Sequence, residues 1–420
     1  MRSTTALNFG AFALSGSFMV VFPLLPDLQE RAHMSTSQLG WVAAAGFLAA
    51  LVAQLLIAPH ADRGRERLVI GGSIVVMALS TLVYAFGNSV VWFIAGRLGA
   101  GLAYGAFIPA AIGLIVRHVH DRRGERIGRL QSLELAGMAV GPLFAVVGKM
   151  TMGVEPTLIA ASVLTVALGI PVLTVNWEAL TCEAGAALAP HHVPEPHPSL
   201  LSGLGLLRNR SVVAAALIFT AFMIPMGAYD ALFPRYFADL GAPDWMLGLA
   251  LMAFAAPAVV LANWAGRHVD RVGPFTAAGR GGAANVAIIV MYGLVRVPFI
   301  IVAVGLFEAG GHTLVGAGAA AAMGWAVPGR RAATAQGLGE ATGTIAAAAV
   351  AALAAPLYAA GGAPALFFVT ATLTAVALVA GVRLGLTSVP VPVDAPAPVR
   401  SIPADRIPSD RIPRLVPVAA

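Results

Sequence analysis

Six side chains in this sequence stand where charge is expensive. Glu134, Asp230, Glu308, His312, Glu340 and Arg97 all fall inside long apolar stretches. An ionisable group in hydrocarbon persists where it has a charge partner or lines a path for ions or protons. Glu308 and His312 are four residues apart, which puts them on one face of a helix. A carboxyl and an imidazole held together can share and pass one proton as a coupled pair. The plain alternative is a hydrogen bond that ties two helices. Asp230 stands close to Arg235, so an ion pair near the membrane surface is expected for it. Glu134 and Glu340 suit a gate or a substrate-cation site, or else pair with arginines such as Arg129. Arg97 lies about two turns inside its stretch, where it either serves an ion path or reaches the surface along its aliphatic stem.

Membrane helices are the elements that must position these groups. Only 11% of the residues are charged and the mean hydropathy is +0.83, against about 25% charged in a soluble domain. The apolar surface must therefore face lipid. A helix that crosses the hydrocarbon needs about 20 apolar residues. Suitable stretches fall at 6–26, 39–58, 68–86, 90–116, 127–149 and 155–176, then at 212–233, 246–265, 275–295, 297–325, 333–359 and 363–385. The expected fold is all-α and integral to the membrane, with two sets of six spans. The first stretch is long and contains proline ("VVFPLLPDL"), with no small-residue cleavage site directly after it, so it reads as a span and not as a cleaved signal. A single cysteine, Cys182, rules out an intrachain disulfide.

The basic residues set an orientation. With the N-terminus placed inside, 21 of the 26 fall in breaks on the inner side; Arg31, Arg97, Lys149, Arg235 and Arg296 do not. This positive-inside bias predicts cytoplasmic termini in a bacterial inner membrane. It also accounts for the net charge of +6 without nucleic acid, because no continuous basic face remains.

The chain repeats itself. "HADR" (60–63) recurs as "HVDR" (268–271), and the same offset of 208 superposes Pro26 on Pro234 and Gly40 on Gly248. Further along the offset is 206, where "ELAG" (134–137) meets "EATG" (340–343). Register kept across helices and a loop implies two homologous six-helix halves with a site at their interface.

These residues resemble the major facilitator superfamily over residues 1–386, and within it the twelve-helix drug/proton antiporter group. The family signature between helices 2 and 3 is G-x-L-A-D-R-x-G-R-R/K. "GRHVDRVGP" (266–274) supplies Gly266, Asp270, Arg271 and Gly273, with Pro274 at a basic position; "APHADRGRER" (58–67) keeps Asp62 and Arg63 but has Ala58 for the first glycine, and Gly64 comes one position early. The resemblance implies that these loops latch the cytoplasmic side; an ordinary positive-inside loop is the alternative. "FIAGRLGAG" (93–101) resembles the helix 4 signature, with Arg97 and Gly101 in place and Ala100 for its glutamine. "GRLQSLELAGMAVGPLFA" (128–145) carries Gly128, Gly137, Gly141 and Pro142 at the spacing of the antiporter signature, whose final glycines are absent. Exporters of this family often carry an acid in helix 1, and residues 6–26 hold no charge.

The expected layout is an N-terminal bundle (1–176), a cytoplasmic linker (177–210), a C-terminal bundle (211–386) and a Pro-rich tail (387–420). "HHVPEPHP" (191–198) reads as flexible linker more than as a metal site. No Gly-rich loop ending in Lys-Ser/Thr is present, so ATP drive is not expected. Neither a catalytic group nor a resident cofactor or metal is expected. The expected activity is proton-coupled export of small hydrophobic or amphipathic compounds by a monomer in lipid, partnered by its substrate and protons. Symport uptake or exchange of a metabolite is the alternative, and a non-transporting receptor or assembly partner is the alternative of another class.

Overall fold

A computed structural model describes residues 2–118, 123–175, 205–327 and 332–388. The linker expected at 177–210 lies outside the described residues up to 204, and so do the histidine cluster (191–198) and the tail from 389. Every regular element among the described residues is a helix. In order come α1 (Arg2–Arg31), α2 (Thr36–Val52), α3 (Gly72–Phe86), α4 (Val90–His118), α5 (Arg123–Met152) and α6 (Val154–Thr174). They are followed by α7 (Arg210–Asp239), α8 (Asp244–Val272), α9 (Pro274–Leu294), α10 (Pro298–Ala326) and α11 (Ala332–Thr387).

Helix is the form an apolar chain takes in lipid, because it satisfies each backbone N–H and C=O within its own segment. Among the described residues ten helical spans are long and apolar enough to cross a membrane, α2 and α3 each counted with an adjoining turn (Thr36–Ile57 and Arg67–Phe86). The ninth, α9, is the exception, because Arg280 and Asn285 lower its hydropathy. The last, α11, is long enough to cross twice. Its backbone breaks at Gly361 and Gly362, the latter at φ 64°, so the stretches expected at 333–359 and 363–385 are the two arms of one bent element. Between α2 and α3 the helix does not simply stop. A π turn (Ala53–Ile57), a 3-10 turn (Ala58–Arg63) and a second π turn (Arg67–Gly71) carry the chain round.

Local sequence explains the ends. Ser35 caps α2 through a reciprocal capping box with Gln38, which satisfies two backbone donors that a helix start would leave open. Asn209 accepts from the Ser211 amide and starts α7. Proline stands first in α9 and α10, where its missing N–H costs nothing.

Packing links the helices through small residues. α1 lies against α5, α6 and α3; α2 against α4; α7 against α11; α8 and α9 against α10. α2 also packs on α11, and α5 on α8. A Cβ at Gly137 would stand 2.3 Å from the Phe12 carbonyl oxygen, and one at Gly141 would stand 2.3 Å from that of Gly16. The helix 5 glycines therefore let α5 and α1 meet backbone to backbone, the contact small residues provide when lipid supplies no hydrophobic drive. Gly128 has nothing within 4 Å, so the first element of that spacing has no such role. Pro142 sits within α5 without ending it.

The internal repeat recurs in these contacts. Gly40 of α2 faces the Ala351 carbonyl of α11, and its counterpart Gly248 of α8 faces Val146 and the Pro142 carbonyl of α5. Gly137 of α5 meets Phe12 of α1, while its counterpart Gly343 of α11 meets Phe219 and Met223 of α7. Matched positions do matched work.

Candidate functional site

The embedded charges gather into three groups. In the first, Arg97 of α4 donates from Nη2 to Asp230 Oδ2 of α7, 133 residues away. Both are buried, Arg97 to 5% exposure and Asp230 to 9%. The α4 residue Arg97 is accommodated because Gly46 of α2 has no side chain: a Cβ there would stand 2.7 Å from Nε. Phe18 and Phe22 of α1 bracket the guanidinium, with ring centroids 4.4 and 4.7 Å from Cζ. Cation–π contact of this kind is worth about 2 kcal/mol or more where water is excluded. Arg97 thus does not reach the surface, and Asp230 is not paired with Arg235. Arg235 instead binds Asp239 at 2.9 Å, one turn along the same helix.

The second group is Glu134 of α5, whose carboxylate accepts from the Tyr104 hydroxyl of α4. Tyr104 stacks on Phe18 at 5.1 Å and 30°, so one phenylalanine touches both the Arg97 and the Glu134 groups. Glu340, the repeat counterpart of Glu134, lies half-buried in α11.

The third group surrounds Glu308 of α10, 1% exposed. Its carboxyl binds two phenols, Oε1 to Tyr229 of α7 and Oε2 to Tyr292 of α9, the latter at 2.6 Å. His312, one turn on, stacks on Phe222 at 4.0 Å and leans on Phe254 at 5.2 Å. Its Nδ1 has no hydrogen-bond partner. Glu308 and His312 share a helix face as the spacing requires, yet each finds its contacts on other helices.

The loop motifs are described in part. Gly64 and Gly273 both have positive φ, 77° and 85°. These glycines make the reversals out of the two His-x-Asp-Arg clusters, since a side chain there meets the αL penalty. Gly266 has nothing within 4 Å, so it is not a close-approach residue. Asp270 and Arg271 are exposed, and the side chains of Asp62 and Arg63 lie outside the description. His268 stacks on Trp264 at 5.5 Å and faces Arg280 Nη1 at 3.5 Å, which gives the second histidine a place at the helix surface.

Charges at the opposite end of the helices were less legible. Arg31 donates to the Tyr84 and Ala85 carbonyls at the end of α3, where a cation meets open carbonyls and the negative end of the helix dipole. Lys149 binds Asp27 at 2.8 Å and ties α5 to α1. The tyrosines escaped sequence reasoning entirely. The chain has six, and four donate to a carboxylate: Tyr104, Tyr229, Tyr292 and Tyr358, the last to Asp239 at 2.8 Å. Their scarcity, and their presence only in apolar helices, was the available signal.

Three comparisons place this architecture among known proteins. The uncharacterised MFS-type transporter YwfA of Bacillus subtilis is 30% identical over 146 residues, 34% of this chain and 35% of that one. The maltose permease of Geobacillus stearothermophilus is 27% identical over 273 residues, 62% of this chain and 64% of that one. The chain thus spans about a third of the first relative and under two thirds of the second. A solved structure of a point mutant of the nucleoside transporter NupG superposes with a TM-score of 0.74 over 91% of this chain and 99% of that one, at 12% identity. That likeness concerns the fold alone. The model of the Major Facilitator Superfamily matches residues 7–315. The chain therefore belongs to the Major Facilitator Superfamily, a family of transporters and not of enzymes.

Proposed function

We propose that the protein is a secondary transporter of twelve spans in two pseudo-symmetric bundles, 1–176 and 211–386. It works by alternating access and exports small hydrophobic or amphipathic compounds in exchange for protons. The matched contacts of Gly40 with Gly248, and of Gly137 with Gly343, support the two-bundle reading. The arginine distribution supports an inner membrane location with both termini cytoplasmic. The linker (177–210) and tail (387–420) then lie in the cytoplasm.

Glu308 carries the reading. As a carboxylate it accepts from both tyrosines; as a carboxylic acid it accepts from one and donates to the other. Hydroxyls rotate, so the Glu308 carboxyl keeps a hydrogen bond to each tyrosine in both protonation states. A structural carboxylate is held in one state; a proton carrier needs both. Export rests further on the α5 spacing of Gly128, Gly137, Gly141 and Pro142, which resembles the antiporter signature. A second reading, uptake by symport, is favoured by likeness to the maltose permease across 62% of this chain.

Everted vesicles energised to an acid interior separate the two. Under the export reading, amphipathic compounds added outside collapse the gradient only in vesicles that hold the protein. No collapse with any compound, together with protein-dependent accumulation of a labelled metabolite in whole cells, would replace export with uptake. Saturable binding without flux in either assay would favour the receptor alternative.

A further inference from the structure

A small cavity at the Arg97–Asp230 pair holds a second polar group that proton movement through Glu308 does not use. Its lining includes Tyr84 of α3, Arg97 of α4 and Asp230 of α7, with apolar side chains of α1 and α2, Phe22 among them, completing the wall. Two buried atoms there have no hydrogen-bond partner: the Tyr84 hydroxyl, on a residue 1% exposed, and Asp230 Oδ1. The cavity lies near the Arg31 end of α1, the Phe86 end of α3 and the Asp239 end of α7, which the arginine distribution assigns to the outer face. A phenol and a free carboxylate oxygen converging on a small space suit a water molecule, which needs two or more polar partners.

We propose that Asp230 is a second proton-binding group, reached from the outer face by water lodged beside Tyr84, and that its protonation releases Arg97 and lets α4 and α7 part. The proton comes from outer water and adds to Oδ1; the carboxylate becomes a neutral carboxyl, and Arg97 keeps its own proton. Asp230 on α7 thereby supplies an acid that residues 6–26 lack. Arg97 is the charged group bound to Asp230. Tyr84 is the titratable group that faces it across the cavity, and α1 and α2 turn apolar side chains to it. On α10 and α11, the helices behind, the carboxyls are Glu308, taken by Tyr229 and Tyr292, and Glu340. The inference rests on the alternating-access reading.

Thiol labelling tests it without substrate or proton flux, so its failure is separable from failure of the export reading. Cys182 is the only cysteine, and Cys182→Ser clears the background. Val42→Cys places a reporter in the cavity wall, and Asn88→Cys in the exposed α3–α4 turn normalises for thiol chemistry. Right-side-out vesicles are treated with an impermeant maleimide across a pH series. The expected ratio of the Val42→Cys to the Asn88→Cys rate rises as pH falls. In the charge-free pair R97Q/D230N, which leaves no lone buried charge to unfold the protein, the ratio is high and flat. A ratio that ignores pH with the native pair, or keeps its pH dependence in R97Q/D230N, overturns the proposal. A Tyr84→Phe midpoint equal to that of the native pair overturns the route past Tyr84.

Discussion

Alanine at the three helix 5 glycines should separate by geometry, although all three stand in one sequence spacing. At Gly137 the added Cβ would lie 2.3 Å from the Phe12 oxygen and 3.0 Å from the Gly16 nitrogen. At Gly141 it would lie 2.3 Å from the Gly16 oxygen and 3.1 Å from Met19 Cβ. Backbone atoms cannot turn aside, so α1 and α5 must move apart by about 1 Å, and overpacking of this kind costs about 1–3 kcal/mol. Replacing Gly with Ala in a helix returns up to about 1 kcal/mol through backbone entropy. The expected net is therefore destabilisation at both sites. At Gly128, with nothing within 4 Å, only the favourable term remains, and Gly128→Ala should be neutral or stabilising. Equilibrium unfolding of the purified protein in mild detergent, followed by size-exclusion fluorescence, reads the ranking. Equal loss at Gly128 and Gly137 would refute the packing account and point to a shared role that α1 does not explain.

Other consequences are smaller or more local. Gly273→Ala places a side chain at φ 85° and should cost about 1 kcal/mol; a gain in thermal stability would contradict the turn assignment. Lys149→Gln should change stability by less than about 1 kcal/mol, because the Lys149 and Asp27 side chains are 20% and 29% exposed; a loss of several kcal/mol would give that contact a larger part in joining α5 to α1. Tyr104→Phe removes the donor to Glu134 while keeping the ring on Phe18. It should lower transport with little change in unfolding temperature, and an equal loss of both would make the tyrosine structural.

Spans were legible because lipid imposes one rule, about 20 apolar residues in a helix, and the chain obeys it almost everywhere. What the rule does not carry is where one helix passes into the next. The turns between α2 and α3 continue as π and 3-10 segments, and α11 runs through Gly361 as one bent element. Site partners were less legible, for a reason of helix geometry. Asp230 and Arg235 are neighbours in sequence, but five residues turn a helix by about 140°, which points their side chains apart. Arg235 and Asp239, four apart, do meet. Asp230 finds Arg97 on α4, a tertiary contact that no local spacing encodes. For the same reason the tyrosines on Glu134 and Glu308 come from other helices and left no pattern beside the acids.

Proton movement through Glu308 is the central claim, and proteoliposomes that hold the purified protein and a pH-sensitive dye test it most directly. With a compound that wild type exchanges for protons, Glu308→Asp should keep coupled flux and Glu308→Gln should lose it, while both still bind the compound. Gln keeps the size and much of the hydrogen bonding to Tyr229 and Tyr292 but cannot take up and release a proton. Undiminished proton-coupled flux in Glu308→Gln would contradict the account.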